Sequence, residues 1–522
     1  TLETHLNYER TFGVHRIDDL LLYTETEEKF SGLGASRQQY AIRVDELNLG
    51  PINSFTGNNG YSGNSGRRGY VGRLNYTYND KYILEASFRR DASEQFAKER
   101  RWGFFPSFSA GWVLSNEPFF PKTNALTFLK LRGSWGVLGN DRLSNNTFLY
   151  ISSYSDRPAS VDYATPAIFG DNAAQQTIYE GLLGNPNVTW ETVKKLDIGI
   201  DATLFNGLFN ITADYFRDNR SDILGTRSAS VPALAGFRLP VENLAKVNNR
   251  GIDLAVSHRN TISRSFTYNL TANFTYAKNK VIFVDEPAGT NPNIARTGRP
   301  LGVQFGYQAI GLFQDTTEIK AAPTQTSLGT APKPGDIRYA DISGPEGKPD
   351  GVIDANDRTY MGRSNIPEII YGITGGIGFK GIELSFLLQG SERTNQYLSN
   401  ETAWPFFNGG NALRENFDRW TPATPNGKQP RVTLNTGSPN YQTSSFWIKD
   451  ASYLRLRSVE LAYSIPKNIS NNLHLQGLRV YANANNVFTI SDIKNFDPEN
   501  SNPRGWAYPQ LRIFNFGATV QF

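Results

Sequence analysis

The chain ends on Phe514-Asn-Phe-Gly-Ala-Thr-Val-Gln-Phe522, where apolar and polar residues alternate up to an aromatic carboxy-terminal residue. Successive side chains of a β-strand point to opposite faces, so this stretch predicts a strand with one apolar and one polar face. The apolar face carries Phe514, Phe516, Ala518, Val520 and Phe522. Such an ending is typical of outer-membrane β-barrels, whose strands face lipid on one side and a wet interior on the other, although the edge strand of a soluble sheet would alternate in the same way.

The same two-faced pattern recurs along the chain. In residues 70–79, Tyr70, Leu74 and Tyr76 alternate with Arg73 and Asn75. Further alternating stretches lie at 107–114, 196–204, 266–276, 382–388 and 478–488. Repeated short strands of this kind predict an all-β fold rather than a helical one.

Short turns and long polar connections alternate between the predicted strands. Short turns fall at Phe12-Gly13, Asn79-Asp80, Asn206-Gly207 and Lys380-Gly381. Long connections rich in Gly, Pro, Asn and Ser are predicted at 25–68, 138–187, 218–246, 281–365, 392–446 and 491–509. Compact soluble domains rarely tolerate several such loops, whereas outer-membrane barrels combine short periplasmic turns with long extracellular loops.

The strand count predicts how much of a barrel the chain supplies. Counting backward through the turns gives about fifteen strands, the first near residues 2–11, whereas bacterial single-chain barrels normally have an even number. Large barrels with a plugged lumen have about 22 strands, which leaves about seven outside this chain. We therefore predict a multi-pass transmembrane antiparallel β-barrel in the cell outer membrane, of which residues 1–522 are the carboxy-terminal part, with long extracellular loops.

Composition excludes several classes of function. The 522 residues contain no Cys, and the four His residues are scattered at His5, His15, His258 and His474, so thiolate chemistry and paired-histidine metal sites are not indicated. The net charge of +4 gives no indication of nucleic-acid binding. No G-x-S-x-G nucleophile elbow or phosphate-binding glycine loop follows a predicted strand, so we predict that the protein is not an enzyme.

Several runs resemble the SusC/RagA-type TonB-dependent transporters. The most specific is Pro334-Gly-Asp-Ile-Arg-Tyr-Ala-Asp341, followed by Asp350-Gly-Val-Ile-Asp-Ala-Asn-Asp-Arg-Thr-Tyr-Met-Gly362, Pro367 and Tyr371-Gly372. Further runs similar to the closing strands of that family are Phe417–Pro422, Ser452–Pro466 and Leu478–Phe488. The resemblance covers the last third of the chain strongly and the earlier hairpins more loosely.

The resemblance implies an outer-membrane importer of oligosaccharides or peptides. It implies a SusD-like surface lipoprotein as a lid, and energy from TonB acting through a plug that this chain does not contain. A signal peptide, a carboxypeptidase-like domain and a TonB box are likewise expected outside residues 1–522. Phe514, Phe516, Val520 and Phe522 resemble the carboxy-terminal signal read by the barrel-assembly machinery. A passive porin embedded in outer-membrane lipid and a secreted β-rich adhesin remain alternatives.

An acidic, glycine-containing segment between Asp341 and Asp357 is a candidate calcium loop. Calcium takes six to eight oxygen ligands, often alternating carboxylates and one backbone carbonyl. The candidate ligands are the carboxylates of Asp341, Asp350, Asp354 and Asp357 and the carbonyl of Val352. The first half is longer than a standard calcium loop, and the alternative is a turn held by Asx hydrogen bonds. A structural Ca²⁺ is the one candidate cofactor, and no other cofactor is predicted.

Aromatic residues in the long loops are the candidate ligand-binding groups. They are Trp404, Phe406 and Phe407 in one loop, and Trp506 and Tyr508 in the last loop. Flat aromatic faces stack on sugar rings or on apolar peptide side chains. The alternative is that these rings close the loops against one another.

Overall fold

The architecture is dominated by one antiparallel sheet of fifteen strands, each hydrogen-bonded to its neighbours in chain order. The computed structural model describes residues 1–52, 57–121, 123–143, 148–155, 167–169, 173–175, 179–227, 239–472 and 474–522. The sheet strands are β1 (Leu2–Phe12), β2 (His15–Ser36), β3 (Gly57–Tyr78), β4 (Tyr82–Ser93), β5 (Trp102–Val113), β6 (Leu126–Asn140), β7 (Glu191–Leu204), β8 (Phe209–Thr226), β9 (Val241–Ser263), β10 (Phe266–Phe283), β11 (Ile369–Phe379), β12 (Ile382–Glu392), β13 (Tyr453–Ser464), β14 (Gly477–Ser491) and β15 (Ile513–Gln521). The predicted all-β meander and its strand count are confirmed.

Helices are few and short. The α-helices are Thr316–Ala321 and Lys467–Asn472. Short 3-10 turns cover Leu47–Leu49, Lys98–Arg100, Leu114–Asn116, Phe205–Gly207, Thr326–Leu328, Ala355–Asp357, Asn400–Thr402, Phe407–Gly409, Arg414–Asp418, Pro439–Tyr441 and Ser445–Trp447. Within the described ranges, neither α-helix has the length and apolar character that crossing a membrane requires.

The register separates an apolar outer face from a polar inner face. On the outer face Phe108 lies opposite Trp135, and Ala482 lies opposite Phe516. On the inner face the Arg132 guanidinium of β6 reaches Asp197 at 3.3 Å, Asp201 at 3.1 Å and Asp214 at 2.7 Å. A sheet with one lipid-compatible face and one charged, hydrated face matches the wall of a transmembrane barrel.

Two predicted loop boundaries are wrong because strands continue beyond the apolar band. The connection expected at 25–68 is largely a hairpin, since β2 runs to Ser36 and pairs with β3 from Gly57 onward. The connection expected at 218–246 is shortened in the same way, because β8 runs to Thr226 and β9 begins at Val241. Outside the membrane both faces of a strand are wet, so backbone pairing persists after the apolar alternation has ended.

The four predicted short turns are confirmed and lie at one end of the sheet. The long connections lie at the other end, which the barrel rule assigns to the cell exterior. The longest are 284–368, between β10 and β11, and 393–452, between β12 and β13.

Candidate functional site

The two longest extracellular connections, 284–368 and 393–452, fold together into one unit, which we call the loop module. Its core contains buried residues from both connections: Tyr307, Leu328, Ile337, Tyr339, Ile353, Leu398, Ala403 and Trp447. Short strand pairs extend the unit, joining Gln304–Gly306 to Thr359–Met361, Ala309–Leu312 to Ile337–Tyr339, and Asn395–Tyr397 to Ile448–Asp450. These connections therefore carry a hydrophobic core of their own, apart from the barrel wall.

A fully buried carboxylate fastens the two connections to each other. Asp336 accepts hydrogen bonds from Asn440 Nδ2 at 2.8 Å and from the backbone N–H of Lys333 at 2.8 Å. Arg431 completes the set, with its Nε at 2.6 Å from one oxygen and its Nη2 at 3.1 Å from the other. Asn440 in turn accepts a bond from the N–H of Ile337 at 2.7 Å. A buried charge is tolerated only when it is paired and hydrogen-bonded in this way.

The residue before this carboxylate must be glycine. Gly335 has φ of +87°, and a Cβ placed there would overlap the ring of Trp420. Trp420 is buried and donates its Nε1–H to Gln314 at 3.1 Å. The motif that carries the family resemblance around residues 334–341 is thus a structural junction, where close backbone approach positions Asp336.

The last extracellular connection, 492–512, is tied to the loop module. The N–H of Ser399 donates to the carbonyl of Pro503 at 2.9 Å. The Arg504 guanidinium pairs with Glu401, with Nε at 2.8 Å from Oε2 and Nη2 bonded to Oε1. Three connections therefore meet at one place on the extracellular side.

We expect this junction to survive mild acid. Hydrogen bonds from Arg504 lower the pKa of Glu401 to about 2. Because the folded-state pKa lies below that of a free carboxyl, the pair stabilises the junction above about pH 4.3 and loses that contribution as the pH falls toward 2. Spin labels on the two connections should keep their distance down to about pH 4 and separate as the pH approaches about 2.

Glu401→Gln supplies the control, because it removes the titrating group and so should separate the labels to the same extent at every pH. Separation of the wild-type labels already at about pH 6, well above the carboxyl range, would contradict the assignment to Glu401.

The five aromatic candidates do not form one cluster. Trp404 stacks on Tyr441 with ring centroids 4.5 Å apart, and Phe407 meets it edge-on at 5.1 Å. Phe406, Trp506 and Tyr508 are exposed, with Tyr508 85% accessible. One face of Trp506 is covered by the Arg504 guanidinium, 3.8 Å from the ring centroid. Trp404 and Phe407 pack as expected for rings that close loops against one another. The three exposed rings each have an accessible face. Ligand binding by all five residues stays a prediction.

The acidic segment is organised by hydrogen bonds. Asp357 is fully buried and accepts the N–H groups of Ile342 and Asp354 at 2.7 and 2.9 Å. Asp341 accepts from Gly351 at 2.7 Å. The two remaining carboxylates cap neighbouring N–H groups, Asp350 that of Val352 and Asp354 that of Asn356. Across the described residues no group of three or more His, Cys, Asp or Glu side chains is arranged to hold a metal ion. These hydrogen bonds are those of the Asx-turn alternative, and binding of a structural Ca²⁺ stays a prediction.

The predicted assembly residues lie on the last strand. Phe514, Phe516 and Val520 are exposed on the outward side of β15, and Phe522, the residue that follows the strand, is exposed as well; the only sheet neighbour of β15 within the described residues is β14. On the opposite side Asn515 donates to Asn483 Oδ1 at 2.9 Å. The predicted division between an apolar and a polar face is present; recognition by the assembly machinery stays a prediction.

The family model described as TonB dependent receptor-like, beta-barrel matches residues 3–487. The chain belongs to the TonB-dependent receptor-like β-barrel family. The SusC/RagA resemblance is thereby confirmed, as is the location in the outer membrane that this family occupies.

Relatives of this TonB-dependent receptor-like barrel extend the comparison. TonB-dependent receptor P3 of Formosa agariphila is 26% identical over 100% of the chain and 52% of the relative. TonB-dependent receptor SusC of Bacteroides thetaiotaomicron is 27% identical over 85% of the chain and 42% of the relative. The chain thus spans about half the length of the curated relatives it matches. The solved RagAB peptide transporter has a TM-score of 0.78 at 20% identity, covering 100% of the chain and 55% of that structure, which shows a shared fold.

Proposed function

We propose that the protein imports oligosaccharides or peptides across the outer membrane, energised through TonB and assisted by a SusD-like surface lipoprotein. The observation that carries this proposal is the loop module, because two connections with a joint core provide a folded platform at the extracellular end of a barrel of this family. Loops of this length rarely serve only to connect strands, and binding surfaces are commonly built on such structured loops.

The wall beneath the platform supports passage of a hydrated ligand. Arg132 and its three aspartate partners on β7 and β8 line the inner face at mid-height. Near the extracellular end of the inner face, a cavity of about 710 Å³ is lined by Thr24, Arg67, Glu85, Arg89, Asp91 and Lys195, among others. These charged side chains can hydrogen-bond to sugars or peptide backbones, and the rings of Phe105 and Trp190 line the same cavity.

The exposed rings of the last connection are the proposed contacts to the ligand. Trp506 and Tyr508 are 62% and 85% accessible and lie on a connection anchored to the loop module by Arg504. Because an aromatic stacking contact contributes about 0.5–1.5 kcal/mol, replacing both rings with alanine should weaken ligand binding by about tenfold.

Isothermal titration of the full-length protein with candidate oligosaccharides and peptides measures this effect. Phe417→Ala is the matched control, because Phe417 is 84% exposed on the same platform but lies outside the predicted set. Equal losses in the control and in the Trp506/Tyr508 variant would contradict the assignment of these rings.

The partner and the energy source have separate tests. Purification of the full-length protein in mild detergent should recover a surface lipoprotein in near-equal amount, and uptake should cease in cells that lack TonB. Recovery of the barrel alone under several detergents, together with uptake that does not depend on TonB, would support the porin alternative.

A further inference from the structure

A row of cations crosses the outward face of the sheet near its extracellular end. Arg217 on β8 lies directly opposite Arg250 on β9, which lies directly opposite Lys278 on β10. Lys194 and Lys280 lie on the same face, two pairing positions further toward the exterior. We call these five residues the outer basic row; all five are exposed.

The outer basic row lies at the upper boundary of the lipid-facing band. The next outward residues toward the periplasm are Tyr215, Ile252 and Tyr276, one on each of the three strands. Tyrosines with cations just beyond them mark the interface between the hydrocarbon region and the lipid headgroups. The row is therefore at the height of the headgroups of the outer leaflet.

Charges on the two faces of these strands are balanced differently. On the inner face, Lys195 pairs with Asp218 at 3.8 Å and Arg220 pairs with Glu191 at 3.4 Å. On the outer face, the one carboxylate among the described residues that reaches the row is Glu368, 3.8 Å from Lys278. Glu368 also pairs with Arg393 at 3.3 Å. Its single negative charge therefore cannot neutralise both Lys278 and Arg393.

Like charges directly opposite each other on neighbouring strands repel and destabilise a sheet. Adjacent strands are about 4.8 Å apart, so Arg217, Arg250 and Lys278 form a compact trio spanning about 10 Å. A trio of this kind persists at low energetic cost when an anion lies across it. Guanidinium groups bind phosphate oxygens in bidentate geometry, and an ammonium group adds a point charge.

We propose that the outer basic row binds the phosphate groups of a phosphorylated glycolipid in the outer leaflet. The anion is supplied by the membrane, because the row faces outward at headgroup height, away from the lumen, although Lys278 also meets Glu368 at the edge of the loop module. The apolar outward residues below it, among them Ile252 and Leu254, lie where the acyl chains of the same lipid would run.

Binding of bisphosphorylated lipid A to the detergent-solubilised full-length protein tests the proposal, measured by native mass spectrometry. The variant Arg217→Gln/Arg250→Gln/Lys278→Gln removes the trio. Each cation near an anionic headgroup contributes about 1 kcal/mol, or about fivefold, so the triple variant should bind about 100-fold more weakly. Dephosphorylated lipid A should bind the wild type as weakly as the variant binds the phosphorylated lipid.

Matched controls separate this site from general charge effects. Lys320→Gln/Lys348→Gln/Lys428→Gln removes three exposed lysines from the loop module and should leave lipid A binding unchanged. Equal losses in both triple variants, or equal binding of the two lipid forms, would overturn the proposal. Displacement of lipid A by inorganic phosphate would overturn it too, because the site would then be one for free phosphate.

Folding of the variant has its own check. The triple variant should remain heat-modifiable on gels, since its substitutions are exposed. If the variant is not heat-modifiable, the salt dependence of lipid A binding to the wild type tests the proposal instead. Because the charges are exposed, binding of phosphorylated lipid A should weaken steeply with added salt. Salt-independent binding would refute the assignment.

Discussion

Replacing Asp336 with alanine should unfasten the loop module while leaving the barrel intact. The carboxylate is fully buried and holds Arg431, Asn440 and the N–H of Lys333. Removing one partner of a buried ion pair leaves the other uncompensated and costs about 3–5 kcal/mol. Mild protease treatment of intact cells should therefore cut the loop module of the variant at enzyme concentrations that spare the wild type.

Asp315→Ala is the matched control for this substitution. Asp315 is exposed and caps the helix Thr316–Ala321 by accepting from the N–H of Glu318 at 2.8 Å. Loss of such a cap costs about 1 kcal/mol. Equal protease sensitivity of the two variants would contradict the role assigned to Asp336, as would loss of heat-modifiable mobility in Asp336→Ala, because that would place the damage in the barrel.

The second large effect is expected at the last strand. Phe516 is 82% exposed on the outward face of β15. A charge on the lipid face costs up to about 2–4 kcal/mol at mid-depth, with Asp toward the low end, so Phe516→Asp should lower the outer-membrane level severely. Removal of Phe522 should act in the same direction if the aromatic terminus is read during assembly.

Asn515→Asp provides a control one residue away on the polar face, where Asn515 meets Asn483. Its charge points toward the hydrated interior, so abundance in purified outer membranes should stay close to that of the wild type. Normal abundance of Phe516→Asp would mean that this face of the strand is not in contact with lipid.

The sequence predicted the membrane-embedded part of the fold well, for a physical reason. Within the apolar band every second residue must be lipid-compatible, so alternation such as that of Tyr70, Leu74 and Tyr76 is imposed on the strand. Beyond the apolar band, no contact with lipid imposes this alternation. The stretch Thr26–Ser36, which is paired throughout with 57–67, was therefore predicted as a loop although it is strand.

The fastening of the loop module could not be predicted from local sequence. Asp336 looks like any polar residue in a Gly-rich turn, and its burial results from Asn440, 104 residues further along the chain. One local indication existed, namely the Gly335-Asp336 pair inside the family motif, where the glycine has to adopt a positive φ. Residue type alone does not distinguish an exposed ring such as Trp506 from a packed ring such as Trp404.

The loop module also imposes an order of events on biogenesis. Its core joins residues on either side of the β11–β12 hairpin, so it cannot form until both flanking connections have emerged at the cell surface. Contacts this distant in sequence form slowly. Until then, the eight buried residues of this core lack the partners against which they pack. Packing of the extracellular surface therefore depends on two segments that lie far apart in the chain.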